Sequence, residues 1–542
     1  MLKRVLRPFP QLIIALICLA AGTILDGMVF VKMMSFLDYA LVGDMATLKA
    51  EIPLFLLQAC LLIPVGLLGT ITKSWFRKDA NLSMKKYYIR GIFKKNISEF
   101  QHENTATYIS RLTNDCNTLD ANFVEGLFTV FNGITNFAVA IWILSTVGEG
   151  MIGFAVGITS VTAVVSMILS RPVSKKVKER SDHFDGYTSY IKEVLSAFHI
   201  VKSNNLKEKV TNDYYEKSTE IQHKGYIIEK IYTFINALQN GSFSLMIYLG
   251  LCYLTYQAVK GNITAAGALT VSQAIQRIAW PLMMMSEAVP KIFASKDLGK
   301  KINESLLNKN KHEETIELHE FTDKIELKGV GFAYEDAEDK AKTLHDVNME
   351  LKKNGKYLIV GPSGGGKSTL LKLLRKYYDA TEGNLSIDGK SLASVKKEDY
   401  FSLIANVEQQ VFIFEDTLKN NITLYKEYSD EEIKEAIEVA GLTSFVENLP
   451  DGLDTMIYDN GKNISGGERS RIVIARAMLA KASILFMDEA FAALDMERAR
   501  EIEKTILRLK NITVINVSHV IFKDTISQYD KVFHVKGTVT EG

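Results

Sequence analysis

Gly361-Pro362-Ser363-Gly364-Gly365-Gly366-Lys367-Ser368-Thr369 lies between the apolar run Tyr357–Val360 and the helically spaced stretch Leu370–Tyr378. G-x-x-x-x-G-K-[ST] in a strand–loop–helix setting is a phosphate-binding pattern. Gly361, Gly364 and Gly366 allow the backbone amides beside Ser363 to turn inward around phosphate oxygens, and the following helix adds the positive end of its dipole. Lys367 brings charge to the β- and γ-phosphates of a nucleotide, Ser368 offers a hydroxyl to Mg²⁺, and Thr369 belongs to the same cradle. A merely flexible glycine loop is the bland alternative, and the flanking strand and helix argue against it. Further on, the apolar run Ile484-Leu-Phe-Met-Asp488-Glu489 ends in two acids. Downstream of a phosphate loop, Asp488 is placed to hold Mg²⁺ or its water shell, and Glu489 to polarise a water toward the γ-phosphate.

Around these motifs short β-rich runs alternate with helical ones: Ile325–Tyr334, Lys356–Val360, Asn384–Ile387, Ile404–Glu408, Ser483–Asp488 and Ile512–Val517. The alternation predicts an α/β domain with a largely parallel sheet over 323–542. Residues 303–322 are polar and read as a linker. Residues 1–302 have a different texture. Of the 542 residues, 47% are hydrophobic and 23% charged, which fits neither a wholly embedded chain nor a disordered one. The long apolar runs lie before about residue 295, in windows at roughly 11–38, 52–75, 120–146, 151–170, 231–259 and 263–293, each long enough to cross a bilayer. The first is too long, and too poorly followed by a cleavage site, for a signal peptide.

Cations set the orientation. Lys3, Arg4 and Arg7 precede the first window, and clusters from Arg77 to Arg111 and from Arg171 to Arg180 fill the connections 76–119 and 171–230. The opposite connections hold little beyond Lys49 and Lys260. Both termini are therefore expected in the cytoplasm, with the plasma membrane as the location. Apolar residues recur at helical spacing in both long connections, predicting helices that run some 30 Å past the membrane and turn back. Small surface bundles are the alternative. A net charge of +1 leaves no broad basic field for nucleic acid. Cys18, Cys60, Cys116 and Cys252 lack CxxC or metal spacing and read as packing residues, not as disulfide or zinc partners.

Between the two motifs stands Ile464-Ser465-Gly466-Gly467-Glu468, followed by the basic helical run Arg469–Ala480. Here the chain resembles the ATP-binding cassette (ABC) exporters, whose signature is usually Leu-Ser-Gly-Gly-Gln. Further landmarks follow in the family's order. Tyr334 matches the aromatic that stacks on adenine, Gln409 the glutamine-loop residue at the Mg²⁺ site, Asp495 the D-loop acid and His519 the switch histidine. Thr455–Gly461 and Arg111-Leu-Thr-Asn-Asp115 also match exporter patterns. Ile464, Glu468, Glu408 and the pair Phe491-Ala492 depart from the usual residues, whereas Lys367, Asp488, Glu489 and His519 are kept. The resemblance implies an all-α polytopic domain of six helices with long cytoplasmic extensions, joined to an α/β P-loop NTPase domain. ATP and Mg²⁺ are the implied cofactors. Each ATP is expected between the phosphate loop of one chain and Ser465, Gly466 and Gly467 of a second transporter half.

The expected activity is ATP-driven export by a homodimer, with a heterodimer, a lipid flippase and an ATP-gated channel or regulator as alternatives. A peptide or amphipathic molecule is the expected substrate, in contact with membrane lipid. Asp26, Asn236, Gln239, Asn240, Gln273, Gln276, Arg277 and Glu287 are intramembrane polar candidates for a cavity lining, or for structural pairs such as Asp26 with Arg277. Trp280 and Met283–Met285 offer an adaptable apolar wall, although a Met-rich face toward lipid is the commoner use of such residues. Loops near Gln101–Tyr108 and Ser196–Asn204 are expected to touch the cassettes through Tyr108, Phe198 and His199, with Gln409 beneath one of them; solvated hairpins are the alternative.

Overall fold

Apolar composition sets the length of the first helices. α1 (Phe9–Val42), α2 (Met45–Ile92) and α3 (Thr105–Ser145) are each long and apolar enough to cross a membrane. α1 stops at Gly43, whose φ of +80° closes the helix, and Asp44 caps α2 by accepting from the Thr47 amide at 3.1 Å. α2 runs well past the expected span, in keeping with a helix extended beyond the bilayer. Two π-turns, Arg111–Asp115 and Asp120–Val124, interrupt α3 on the side away from its apolar end. The fifth and sixth expected spans fall on α4 (Lys207–Val259) and α5 (Ala265–Ser305). The computed structural model describes residues 1–148, 150–154, 157, 160, 190–308, 314–334, 342–408, 411–491, 494–519 and 521–541. Most of the fourth expected span, 151–170, and the residues that follow it to 189 lie outside these.

The described residues form two units, Met1–Lys95 with Glu103–Leu307, and Asn96–His102 with Asn308–Gly542. In the first, α3 approaches α5 closely because two of its positions have no side chain. A Cβ on Gly133 would lie 2.2 Å from Met285 Sδ, and one on Gly126 2.7 Å from Ile292 Cγ1. Asp26 and Arg277 pair at 2.6 Å, with the guanidinium 5.5 Å from the Phe30 ring centre, so the structural alternative holds for these two. Glu287 lies 3.9 Å from Lys291, and Asn240 and Gln273 are exposed. The side chains of Asn236, Gln239 and Met283 lie outside the described set. The four cysteines are free, but Cys60 and Cys252 are exposed on apolar helices, which corrects their reading as packing residues.

The second unit is α/β. Its six-stranded sheet runs in the order β10 (Thr538–Glu541), β9 (Lys531–Lys536), β3 (Lys356–Val360), β8 (Thr513–Val517), β7 (Ile484–Asp488) and β6 (Ile404–Val407). All pairs are parallel except β9 with β10. A smaller antiparallel sheet joins β2 (Leu344–Lys352), β1 (Lys324–Phe332), β4 (Glu382–Ile387) and β5 (Lys390–Ser391). Side chains alternate across the larger sheet. Ile359, Ile484, Phe486, Ile515 and Val517 pack with Leu370, Leu371, Leu373 and Leu374 of α6 (Lys367–Leu374). Leu485, Met487 and Val514 pack on the other face, with Ile472 and Ile474 of α7 (Gly466–Leu479) and Ile502 and Ile506 of α8 (Met496–Arg508). The segment expected as a linker contributes Leu318 and Phe321, 3% and 1% exposed, to the α6 side.

Two helix bounds differ from expectation for local reasons. α6 ends at Leu374 instead of Tyr378 because Lys376 takes φ +55° and its ammonium reaches the Val395 carbonyl and, at 3.3 Å, Glu314. α7 starts three residues before Arg469 because Ser465 and Glu468 form a capping box.

Candidate nucleotide site

Parallel register brings the motifs to one edge. Val517 pairs with Ile359 on one side and Asp488 on the other, so β3, β8 and β7 end level with each other. The phosphate loop, Ser518-His519 and Glu489 leave from these three ends, the usual position of a ligand crevice in such sheets. The loop closes only with glycine. A Cβ on Gly361 would lie 2.2 Å from the Val535 carbonyl oxygen, and one on Gly365 2.7 Å from it. Gly364 and Gly366 take φ +77° and +99°, and Gly366 leads directly into α6. Lys367 is buried, and its ammonium donates to the carbonyls of Gly361 at 2.9 Å and Pro362 at 3.1 Å. Ser363, Gly364 and Ser368 are exposed, while Thr369 is buried with its hydroxyl 3.1 Å from that of Tyr334.

Burial pushes the Asp488 carboxyl up, and the Arg375 guanidinium opposes this. Glu489 takes φ +48°, a conformation non-glycine residues hold at a cost of about 1–2 kcal/mol. Its amide donates to the Val517 carbonyl at 2.9 Å, and its Oε1 lies 3.1 Å from His519 Nε2. The strained backbone thus turns the carboxylate toward the histidine of the adjacent strand end. Tyr334 packs edge-on against Phe332 and Tyr378 at ring separations of 4.9 and 5.6 Å, with Lys372 Nζ 5.8 Å from its ring centre. Gln409 lies outside the described residues. Glu408 accepts from the Tyr377 hydroxyl at 3.0 Å and lies 3.7 Å from buried Arg375. Arg375 and Tyr377 escaped the sequence reading. The only signal was a charged residue directly after an apolar helix.

Ser465 caps α7. Its hydroxyl accepts from the Glu468 amide at 3.3 Å, and Glu468 Oε2 accepts from the Ser465 amide at 2.7 Å. The departure at Glu468 is thereby explained locally, since a carboxylate or an amide at this position closes the box. Gly466 and Gly467 form the first turn. Asp495 caps α8 by accepting from the Arg498 amide at 2.9 Å, Phe491 is buried, and Ala492 lies outside the described residues. Tyr108 corrects the expectation for the first cytoplasmic loop. It is buried in the first unit, with Lys95 Nζ 5.3 Å and the Arg111 guanidinium 5.9 Å from its ring centre, and burial beside Glu103 pushes its hydroxyl up to about 12. Asn96–His102 instead groups with the α/β unit, where Asn96 Oδ1 accepts from Lys397 Nζ at 2.6 Å. Phe198 is 60% exposed.

The fold is that of known proteins. Residues 344–492 match the family described as ABC transporter, and residues 12–281 match the ABC transporter transmembrane region. A multidrug resistance ABC transporter ATP-binding and permease protein of Lactococcus lactis subsp. lactis (strain IL1403) is 30% identical over 464 residues, 82% of this chain and 75% of its own length. An ATP-dependent lipid A-core flippase of Syntrophus aciditrophicus (strain SB) is 27% identical over 567 residues, 100% of this chain and 90% of its own. The solved structure of a bacterial Atm1-family ABC exporter with ATP bound has the same fold, with a TM-score of 0.82 at 20% identity over 99% of this chain and 96% of that one. The chain belongs to the ATP-binding cassette transporters, as an exporter half whose helical transmembrane region is fused ahead of an ATP-hydrolysing cassette.

Proposed function

We propose that two copies of this chain hydrolyse ATP at composite sites and use it to export an amphipathic molecule across the plasma membrane, with both termini and the cassette in the cytoplasm. One observation carries the reading. α6, which the phosphate loop opens, and α7, which the signature opens, pack on opposite faces of the same sheet. Two helix starts divided by a sheet are poorly placed to grip one nucleotide, so the signature of a second copy suits the opposite side of each ATP. The catalytic set in this chain is complete, which favours a homodimer. A heterodimer with a degenerate partner is the competing arrangement.

In this mechanism the loop amides and Lys367 hold the β- and γ-phosphates, and the ring of Tyr334 stacks on adenine. Ser368 and Asp488 offer hard oxygen donors, which fit Mg²⁺ shared with phosphates and water better than they fit a closed protein cage. When bound, Mg²⁺ would neutralise charge building on the phosphate oxygens. Gln409 is assigned to the same ion on its sequence position. Glu489 accepts a hydrogen bond, and then the proton, from the attacking water as its oxygen adds to the γ-phosphorus, while the bond to the β,γ-bridging oxygen breaks and its electron pair leaves with ADP. His519, 3.1 Å from Glu489, holds that carboxylate in place and reaches toward the γ-phosphate. ATP binding draws the cassettes together and hydrolysis releases them, so the membrane helices alternate between two states of different substrate affinity. The substrate reading takes support from two relatives, one named for a lipid A-core flippase and one for multidrug resistance, and neither name speaks of a peptide. A lipid flippase is the second reading. Uphill, ATP-dependent accumulation in inverted vesicles supports transport, and its absence beside ATP-dependent conductance supports a gated channel.

Glu489→Gln should retain ATP binding and lower hydrolysis by roughly 10²–10⁴-fold. Lys367→Ala should weaken binding of a fluorescent ATP analogue. Normal turnover in the first, or unchanged affinity in the second, contradicts the assignment.

Glu468→Gln should keep the capping box and remove one negative charge near the nucleotide phosphates. Apparent ATP affinity should tighten by about 1 kcal/mol, roughly fivefold, with an unchanged melting temperature. Weaker ATP affinity would contradict a signature that faces phosphate.

Phe198→Ala removes an exposed ring from the second cytoplasmic loop. Basal hydrolysis should stay within about threefold, while substrate stimulation and transport are lost, as expected of a coupling contact. Transport that persists at the wild-type ratio to hydrolysis would remove Phe198 from that role.

A further inference from the structure

The first unit holds a groove of about 1360 Å³ between the segment ahead of α1, the later turns of α2 and the end of α5. Arg4, Arg7, Lys86, Arg90, Lys94 and Lys300 line it, against the carboxylates of Asp79 and Glu304 alone. Both acids have cations of their own. Glu304 lies 3.9 Å from Lys300, and Asp79 lies 3.3 Å from Lys78, outside the groove. Among the described residues, Arg7, Lys86 and Arg90 are exposed and pair with no acid. The walls are tied together by Tyr87. Its hydroxyl donates to Asn303 Oδ1 at 3.2 Å, and its ring centre lies 5.3 Å from the Arg4 guanidinium. Apolar side chains stand open between the cations, with Leu82 59%, Phe93 84% and Leu307 59% exposed.

We propose that this groove binds the headgroup of an anionic, phosphate-bearing lipid from the cytoplasmic leaflet, whichever molecule the transporter exports. Basic pockets between membrane helices on the cytoplasmic side are suited to such headgroups. α1 enters its apolar stretch at Phe9, two residues after Arg7, and the groove joins this helix start, through Pro8 and Pro10, to Leu82, Ser83 and Lys86 of α2. The upper cations therefore lie near headgroup level in the orientation proposed above. A small soluble phosphate would satisfy the cations, but it would leave Leu82, on their membrane side, in water. An amphiphile covers both, with its phosphate against Arg7, Lys86 and Arg90 and its glycerol and upper acyl carbons against Leu82, on the membrane side of Lys86 and Arg90.

The test is native mass spectrometry of the purified full chain titrated with phosphatidylglycerol and with phosphatidylcholine. Phosphatidylglycerol should bind about tenfold more tightly than phosphatidylcholine, and the double variant Lys86→Gln/Arg90→Gln should lose that preference. The charge-keeping variant Lys86→Arg/Arg90→Lys should retain it, as should Lys207→Gln/Lys209→Gln, which removes equal charge from exposed positions elsewhere. An undiminished preference in the first variant would overturn the proposal. So would equal loss in the charge-keeping variant, or displacement of the lipid by glycerol phosphate at matched concentration, which would make the site one for a soluble anion.

Discussion

Everything at the nucleotide site depends on the parallel pairing of Thr513–Val517 between Lys356–Val360 and Ile484–Asp488. Val517 faces the last residue but one of the first strand and the last residue of the second. A one-residue slip would move His519 out of step with Glu489 and turn Ile515 and Val517 to the wrong face of the sheet. The core that fixes this register also positions the chemistry. Ile359, Phe486 and Val517 are fully buried, so the strand ends have little freedom, and the backbone of Glu489 is held in a conformation it would not choose alone.

The same alternation has a consequence for assembly. Even and odd positions of β7 feed different cores, and the phosphate loop and the signature belong to different sides. Each half of the chemistry is rigid within one chain, and the two halves are separated by the sheet. α4 extends the theme into the membrane unit. It packs along α5, and beyond its apolar end, toward Lys207, it exposes Tyr215 and Tyr226. Aromatic rings left open outside the apolar span suit a second chain better than lipid.

The strands that carry chemistry were legible because each is a short, unbroken apolar run ending in a distinctive residue. The apolar runs mark Lys356–Val360 to the residue, and Ile484–Asp488 and Thr513–Val517 within one. Leu344–Lys352 was not read, because its alternation is broken where Asp346 takes φ +44° and the pairing with β1 shifts register. The terminal pair β9 and β10 alternates over too few residues, among lysines and threonines, to stand out. At the site, glycines and acids announced themselves, but the cluster of Arg375, Tyr377 and Glu408 did not, because it joins residues 31 or more apart or hides behind helix ends. Tyr108 is hard to place from sequence for a related reason. An aromatic in a polar loop reads as a surface contact until Lys95 and Arg111 are seen to bracket it.

If two chains share each nucleotide, as proposed, mixing two inactive chains should restore hydrolysis. A chain carrying Lys367→Ala has a faulty phosphate loop and a sound signature. A chain carrying Gly466→Asp has the reverse. Each alone should form inactive dimers. Co-expressed and purified through two different tags, the mixed dimer would place both faults in one site and leave the other site whole, so ATPase activity should return well above that of either parent. Activity no higher than the parents in a correctly folded mixed dimer would contradict the account, because a nucleotide held within a single chain leaves both sites broken.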